Sequence, residues 1–171
     1  AVERIMKTLV VFVTAFLSTI AGAQTPTVET QNEQVVRRYI EAFNRGDVKA
    51  AAAEFAEDAE NFGRPVGRQG LEERMEDIRA TFPDWRWDVL DIVASGDDVV
   101  VRMKVIGTHL GVGKMQLNGM PVGASATEKR FEITHMHWFT LSDGKIVEHY
   151  ANRDDLGLLR QLGLLSLVAT Q

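Results

Sequence analysis

The strongest constraint on the fold is a change of hydrophobic period near Trp85. Before it, apolar residues recur at helical spacing: Val36, Tyr39, Ile40 and Phe43 stand at i, i+3, i+4 and i+7, and Leu71, Met75, Ile78 and Phe82 repeat along a second such stripe. After it the period is two, because Trp85, Trp87 and Val89 alternate with Arg86 and Asp88, and Val99, Val101, Met103 and Val105 follow a Ser95-Gly96-Asp97 turn. Helices first and long alternating strands second is the α+β order, with helices packed on one face of a curved antiparallel sheet to make a cone. The cone buries its apolar stripes except at the mouth, where a small molecule has room.

Punctuation along the chain divides this pattern into elements. Thr30-x-x-Glu33 has capping-box spacing and opens the first helix, which Asn44-Arg45-Gly46 closes. Asp47 caps a second helix whose inner stripe is Val48, Ala51, Ala52 and Phe55, and Glu60 to Phe62 is extended. Pro83 stops the third helix. Residues 110–126, rich in glycine and small polar side chains, read as a long loop at the end of the sheet. Strands follow at Arg130 to Leu141 and Lys145 to Asn152, and a leucine-rich helix from about Asp154 to Leu162 ends at Gly163.

The N-terminal stretch reads differently. Residues 6–23 have a basic start at Lys7, an apolar run from Leu9 to Ile20 and the small-x-small end Ala21-Gly22-Ala23, which is the pattern of a secretory signal peptide. The run is too short to span about 30 Å of hydrocarbon as a helix. The expectation is a signal peptide over 1–23, with 1–5 an upstream extension, a flexible lead-in over 24–29, and one domain over 30–171. The protein would then be exported, periplasmic or extracellular, and not held to a membrane after cleavage. Nineteen basic against 24 acidic side chains leave no cationic surplus for a phosphate backbone, so nucleic acid is not expected as a partner. With no cysteine, disulfides, thiolate zinc sites and cysteine nucleophiles are excluded.

All four histidines, His109, His135, His137 and His149, lie within 41 residues on or beside predicted strands. Alternation puts His135 and His137 on one face with Phe131, Ile133, Phe139 and Leu141. With a three-residue loop at Ser142-Asp143-Gly144, Leu141 pairs with Lys145, His137 faces His149 and His135 faces Ala151. A two-residue loop puts Tyr150 opposite His137 instead. Three readings stay open for this cluster. Partly buried imidazoles suit proton transfer as neutral bases. His-x-His with a third histidine across the hairpin has the makings of a metal site, although no glutamate follows at the spacing a cupin-like site needs. Hydrogen-bonded core histidines without chemistry are the third.

Tyr39, Phe43 and Trp87 are candidates for the wall of a hydrophobic pocket, with Trp85, or for the plain core. One of Glu60 and Asn61 is expected to point toward the sheet. Asp154 and Asp155 fit a helix cap, and Asp154 is also a candidate acid.

Several segments resemble the SnoaL-like polyketide cyclase, or ester cyclase, group of the NTF2-like superfamily. They are Arg38-Tyr39 through Asn44-Arg45-Gly46-Asp47, Phe82-Pro83-Asp84, Gly107-Thr108-His109-x-Gly111, Gly119-Met120-Pro121, and His137 followed by Asp143-Gly144-Lys145-Ile146-Val147-Glu148-His149-Tyr150. The resemblance implies a cone-shaped α+β domain, often a homodimer through its sheet, that binds a small carbonyl compound in a hydrophobic pocket and closes rings without a metal. It also implies an acid/base role for His137, while the position of the group's aspartate is Ala151 here. The loop over 112–118 is longer than the group's usual connection. Together these readings lead to an exported enzyme doing cofactor-free acid/base chemistry (cyclisation, isomerisation or hydrolysis) on a small apolar carbonyl or ester compound. His137 would be the principal acid/base, aided by His135, His149 or Asp154, with Tyr39, Phe43, Asn61, Trp87 and His109 contacting substrate. A non-catalytic binding protein and a histidine-ligated metal hydrolase are the alternatives.

Overall fold

The computed structural model describes residues 25–114, 121 and 123–165, so the signal-peptide reading of 1–23 and the loop reading of 115–120 lie outside the described residues. Four helices pack on one six-stranded sheet. In chain order they are α1 (Val28–Asn44), α2 (Val48–Ala52), β1 (Phe55–Asn61), β2 (Arg64–Pro65), α3 (Gly67–Thr81), β3 (Arg86–Ser95), β4 (Asp98–Thr108), β5 (Arg130–Ser142), β6 (Lys145–Arg153) and α4 (Asp155–Leu162). The sheet order is β2-β1-β6-β5-β4-β3. The expected α+β class stands, but the sheet is mixed, because β1 runs parallel to its neighbour β6. The sequence pattern marked β1 only as a short extended piece and so gave no sign of its direction.

α1 starts at Val28, two residues before the expected Thr30, because Thr27 is the cap and its side chain accepts from the Thr30 amide. The lead-in over 24–29 therefore already belongs in part to the helix. α2 ends at Ala52, and Phe55, expected on its stripe, begins β1 instead. Its ring is buried either way, since it belongs to the same core as Phe43, Phe82, Phe131 and Phe139. At the other end Asp154 caps α4 by accepting from the Gly157 amide at 2.8 Å, and Gly163 closes it at φ 74, a left-handed conformation that glycine adopts without cost.

Helix-to-sheet staples set where the pocket forms. The Asn44 side chain donates to the Trp87 carbonyl at 2.8 Å and accepts from the Trp87 amide at 2.9 Å, which pins the end of α1 to the start of β3. Arg79, on α3, donates to the carbonyls of Phe43, Pro83 and Trp85, joining both helices to the segment that leads into β3. Asp84 accepts from the amide and hydroxyl of Thr108, closing the β3 to β4 edge.

The β5–β6 hairpin differs from both expected registers. Ser142 pairs with Lys145 across the two-residue turn Asp143-Gly144, whose φ angles of 50 and 72 are both positive, as a type I′ turn requires. A register shift between Thr140 and Leu141 then inserts Val147 as an extra residue, so that Glu148 faces Thr140, His149 faces Phe139 and Ala151 faces His137. The bulge reverses the alternation that the short turn alone would impose. His149, Ala151 and Arg153 thereby share the inner face with His135 and His137.

Candidate active site

The inner face of β5 and β6, the indoles of Trp85 and Trp87, Tyr39 of α1, and Leu71, Met75 and Ile78 of α3 enclose a cavity of about 210 Å³. Its walls are mostly apolar. Tyr39 packs edge-on against Phe55 and tilts against Trp87, while Trp87 stacks on Phe43 at 4.4 Å between ring centroids. Burial pushes the Tyr39 phenol upward, which keeps it neutral. Phe43, expected to touch a ligand, sits behind Trp87 and supports it.

A hydrogen-bonded chain of imidazoles crosses this wall. Asn61 Oδ1 lies 2.8 Å from His149 Nδ1, His149 Nε2 lies 2.8 Å from His137 Nδ1, and His137 Nε2 lies 3.2 Å from His135 Nδ1. The rings stack with centroids 5.0 and 5.4 Å apart. An amide oxygen only accepts, so His149 Nδ1 carries the proton and its Nε2 must accept. His137 then donates from Nδ1 and accepts at Nε2, and His135 donates from Nδ1. All three rings take the Nδ1–H form, and a lone pair is left at His135 Nε2, which is buried and has no hydrogen-bond partner.

Electrostatics keep the chain neutral. Burial, then the Arg153 charge and His149, hold His135 down at about 3. Burial and Arg153 bring His149 to about 3, and burial with both flanking imidazoles and Arg153 holds His137 well below its ordinary value. Arg153 faces His135 across the β5–β6 ladder and donates to Asp155 at 3.2 Å.

Of the candidates read from the sequence, Tyr39, Asn61, Trp87, His135, His137 and His149 meet at this cavity. Asn61 is placed by β1, whose parallel pairing sets it beside His149. Two do not join it. Asp154 spends its carboxylate on the α4 cap. His109 is fully buried against Phe82, its Nδ1 accepting from the Thr127 amide at 3.3 Å, and it does not line the cavity. Arg64, Arg74 and Arg153 line the cavity and were missed; for Arg153 the alternation His149, Ala151, Arg153 was an available signal. As for metal binding, the ring nitrogens face one another in a line instead of converging, and among the described residues no group of three His, Asp or Glu side chains has metal-holding geometry.

Helices laid on the inner face of a bent six-stranded sheet, enclosing a small cavity with a polar wall, define an NTF2-like domain built around a ligand pocket. Residues 33–162 match the family of SnoaL-like polyketide cyclases, and the chain belongs to that family. Similar proteins include the nogalonic acid methyl ester cyclase of Streptomyces nogalater, 36% identical over 87 residues that make up 50% of this chain and 59% of that enzyme. The chain thus matches well under two thirds of that curated relative's length. Among solved structures, TsrD from Streptomyces laurentii superposes with a TM-score of 0.69 at 25% identity, covering 82% of this chain and 100% of the other. IdmH from Streptomyces antibioticus gives 0.64 at 31% identity, covering 78% and 99%.

Proposed function

We propose that this protein is an exported acid/base enzyme that works without a cofactor on a small carbonyl compound, with His135 Nε2 as the proton-accepting atom. The observation that supports it is the Asn61–His149–His137–His135 chain, which ends on an unpaired ring nitrogen at the pocket. Both nitrogens of His137 are engaged, so the proton-accepting role moves from His137 to its neighbour. A proton taken by His135 Nε2 from the carbon beside a carbonyl lets His135 Nδ1–H pass to His137 and His137 Nδ1–H pass to His149. The positive charge is shared by three rings, while Asn61 Oδ1 holds the last Nδ1–H. Return of the proton to the substrate completes a cyclisation or isomerisation. Asn61, His149 and His137 are positioning residues in this scheme.

Export rests on the signal pattern over 6–23. Assembly as a homodimer rests on the apolar outer face of the sheet, where Met136, Trp138 and Tyr150 stand exposed.

The test is His135→Gln, which keeps the ring's volume roughly but not its basic lone pair. Turnover of a polyketide ketone should drop about 10²–10⁴-fold, and deuterium uptake at the carbon beside its carbonyl in heavy water should stop. Exchange at the wild-type rate would refute the assignment.

A further inference from the structure

The polar atoms that the pocket leaves without protein partners are mostly donors. Among the described residues, six buried side-chain nitrogens have no hydrogen-bond partner, and four of them belong to residues lining this cavity: Arg74 Nε, Trp85 Nε1, Trp87 Nε1 and His135 Nε2. Three of the four are donors, and a buried donor without a partner is destabilising until a ligand supplies an acceptor. These donors are complementary to an acceptor-rich ligand. The lining also contains Arg64, Arg74 and Arg153 and, among the described residues, no aspartate or glutamate. In a chain with a net charge of −5, three arginines and no carboxylate is a local reversal of sign, not a reflection of composition. Arg153 has Asp155 beside it, and Arg64 is exposed. Arg74 makes no hydrogen bond or ion pair among the described residues, although α3 around it carries Glu72, Glu73, Glu76 and Asp77.

We infer that the pocket takes its substrate as an oxygen-rich anion, a ring-bearing carbonyl compound with a free carboxylate held by Arg74 and Arg64, and that it discriminates against the corresponding ester. A carboxylate supplies the planar pair of acceptors that a guanidinium fork matches, whereas an ester presents neither the charge nor the second strong acceptor. The histidine chain gains from the same charge. Arg153 is one of the groups that disfavour protonation of all three rings, and an anion beside them works against it, so the base is strengthened when substrate is bound. The inference rests on this cavity being the substrate site, as proposed above.

Calorimetric titration of the full chain with 2-naphthoate and with methyl 2-naphthoate tests it. The acid should bind at least about tenfold more tightly at low ionic strength, with the acid alone weakening as salt is added. Arg74→Gln should bring the two ligands to within about twofold of each other by weakening only the acid. Arg64→Gln, at an exposed position, should act in the same direction if the Arg74 variant fails to fold. Equal or tighter binding of the ester, equal loss of both ligands on substitution, or no binding of either overturns the inference. His135→Gln should leave the preference for the acid intact. Loss of turnover without loss of that preference separates the two readings, as does loss of the preference with turnover retained.

Discussion

At the scale of single residues, the arrangement turns on one amide. Asn61 Oδ1 accepts from His149, and that direction is passed ring to ring until a lone pair emerges at His135 Nε2. The chain is neutral in the folded protein, and this links it to stability. The unfolded chain binds protons on these imidazoles near pH 6.5, whereas the folded chain resists until near pH 3 for His135 and His149. Their contribution is therefore complete above pH 6.5 and is lost as pH falls toward 3. Thermal melts of wild type and His149→Gln between pH 7.5 and 4 should show the wild type more stable at neutral pH and the gap narrowing with acid. A gap that stays constant would mean that His149 is not held neutral. The same argument places the acid limb of kcat/KM well below the pH at which an ordinary histidine titrates. Alternation along a strand made the shared face of His135 and His137 legible in the sequence. Their order of donation was not, because it depends on Asn61, 88 residues away from His149 in the chain.

At the scale of elements, the staples between helix and sheet hold the pocket wall. Asn44 reads in the sequence as the stop of α1, yet its side chain spends both hydrogen-bonding groups on the backbone of Trp87. Asn44→Ala leaves that amide and carbonyl without their partner and should cost about 2 kcal/mol of unfolding free energy. Asn44→Asp, which still accepts but no longer donates, should fall between. Urea titrations followed by tryptophan fluorescence measure both, and an alanine variant as stable as wild type would show that the staple contributes nothing. Periodicity revealed the helices and the four long strands because each runs over several turns or residue pairs. It caught only the end of β1, as the extended piece from Glu60, because the burial pattern of Phe55–Asn61 is irregular, with Phe55, Ala59 and Asn61 inward and Glu57 and Asp58 outward. It also missed the Val147 bulge. A bulge leaves no mark on composition, and only the pairing of the whole hairpin shows that an extra residue brings His149 inward.

At the scale of the whole molecule, the two faces of the sheet are unequal. The inner face is covered by helices and holds the cavity, while among the described residues nothing covers the outer face over β5 and β6. Met136, Trp138, Tyr150 and Phe62 stand 47%, 50%, 43% and 37% exposed there, with Trp138 directly opposite Tyr150 on the ladder. Charged pairs flank this patch, Arg102 with Asp91 and Lys104 with Glu132 at 3.5 Å, so an apolar centre lies inside a polar rim. That is the anatomy of a protein interface, and aromatic residues at its middle are the type that dominates binding energy. The patch lies on a sheet face, not on an open strand edge, which suits face-to-face packing with an identical sheet about a twofold axis. A second copy of the chain is the proposed occupant. Sedimentation velocity should find a dimer for the wild type and a monomer for Trp138→Arg. Because Trp138 points away from the cavity, the monomeric variant should retain its affinity for 2-naphthoate to within about twofold, as expected when two substituted sites share no contacts. A wild-type monomer at every concentration examined, or a Trp138→Arg variant that still dimerises, would place the interface elsewhere or remove it.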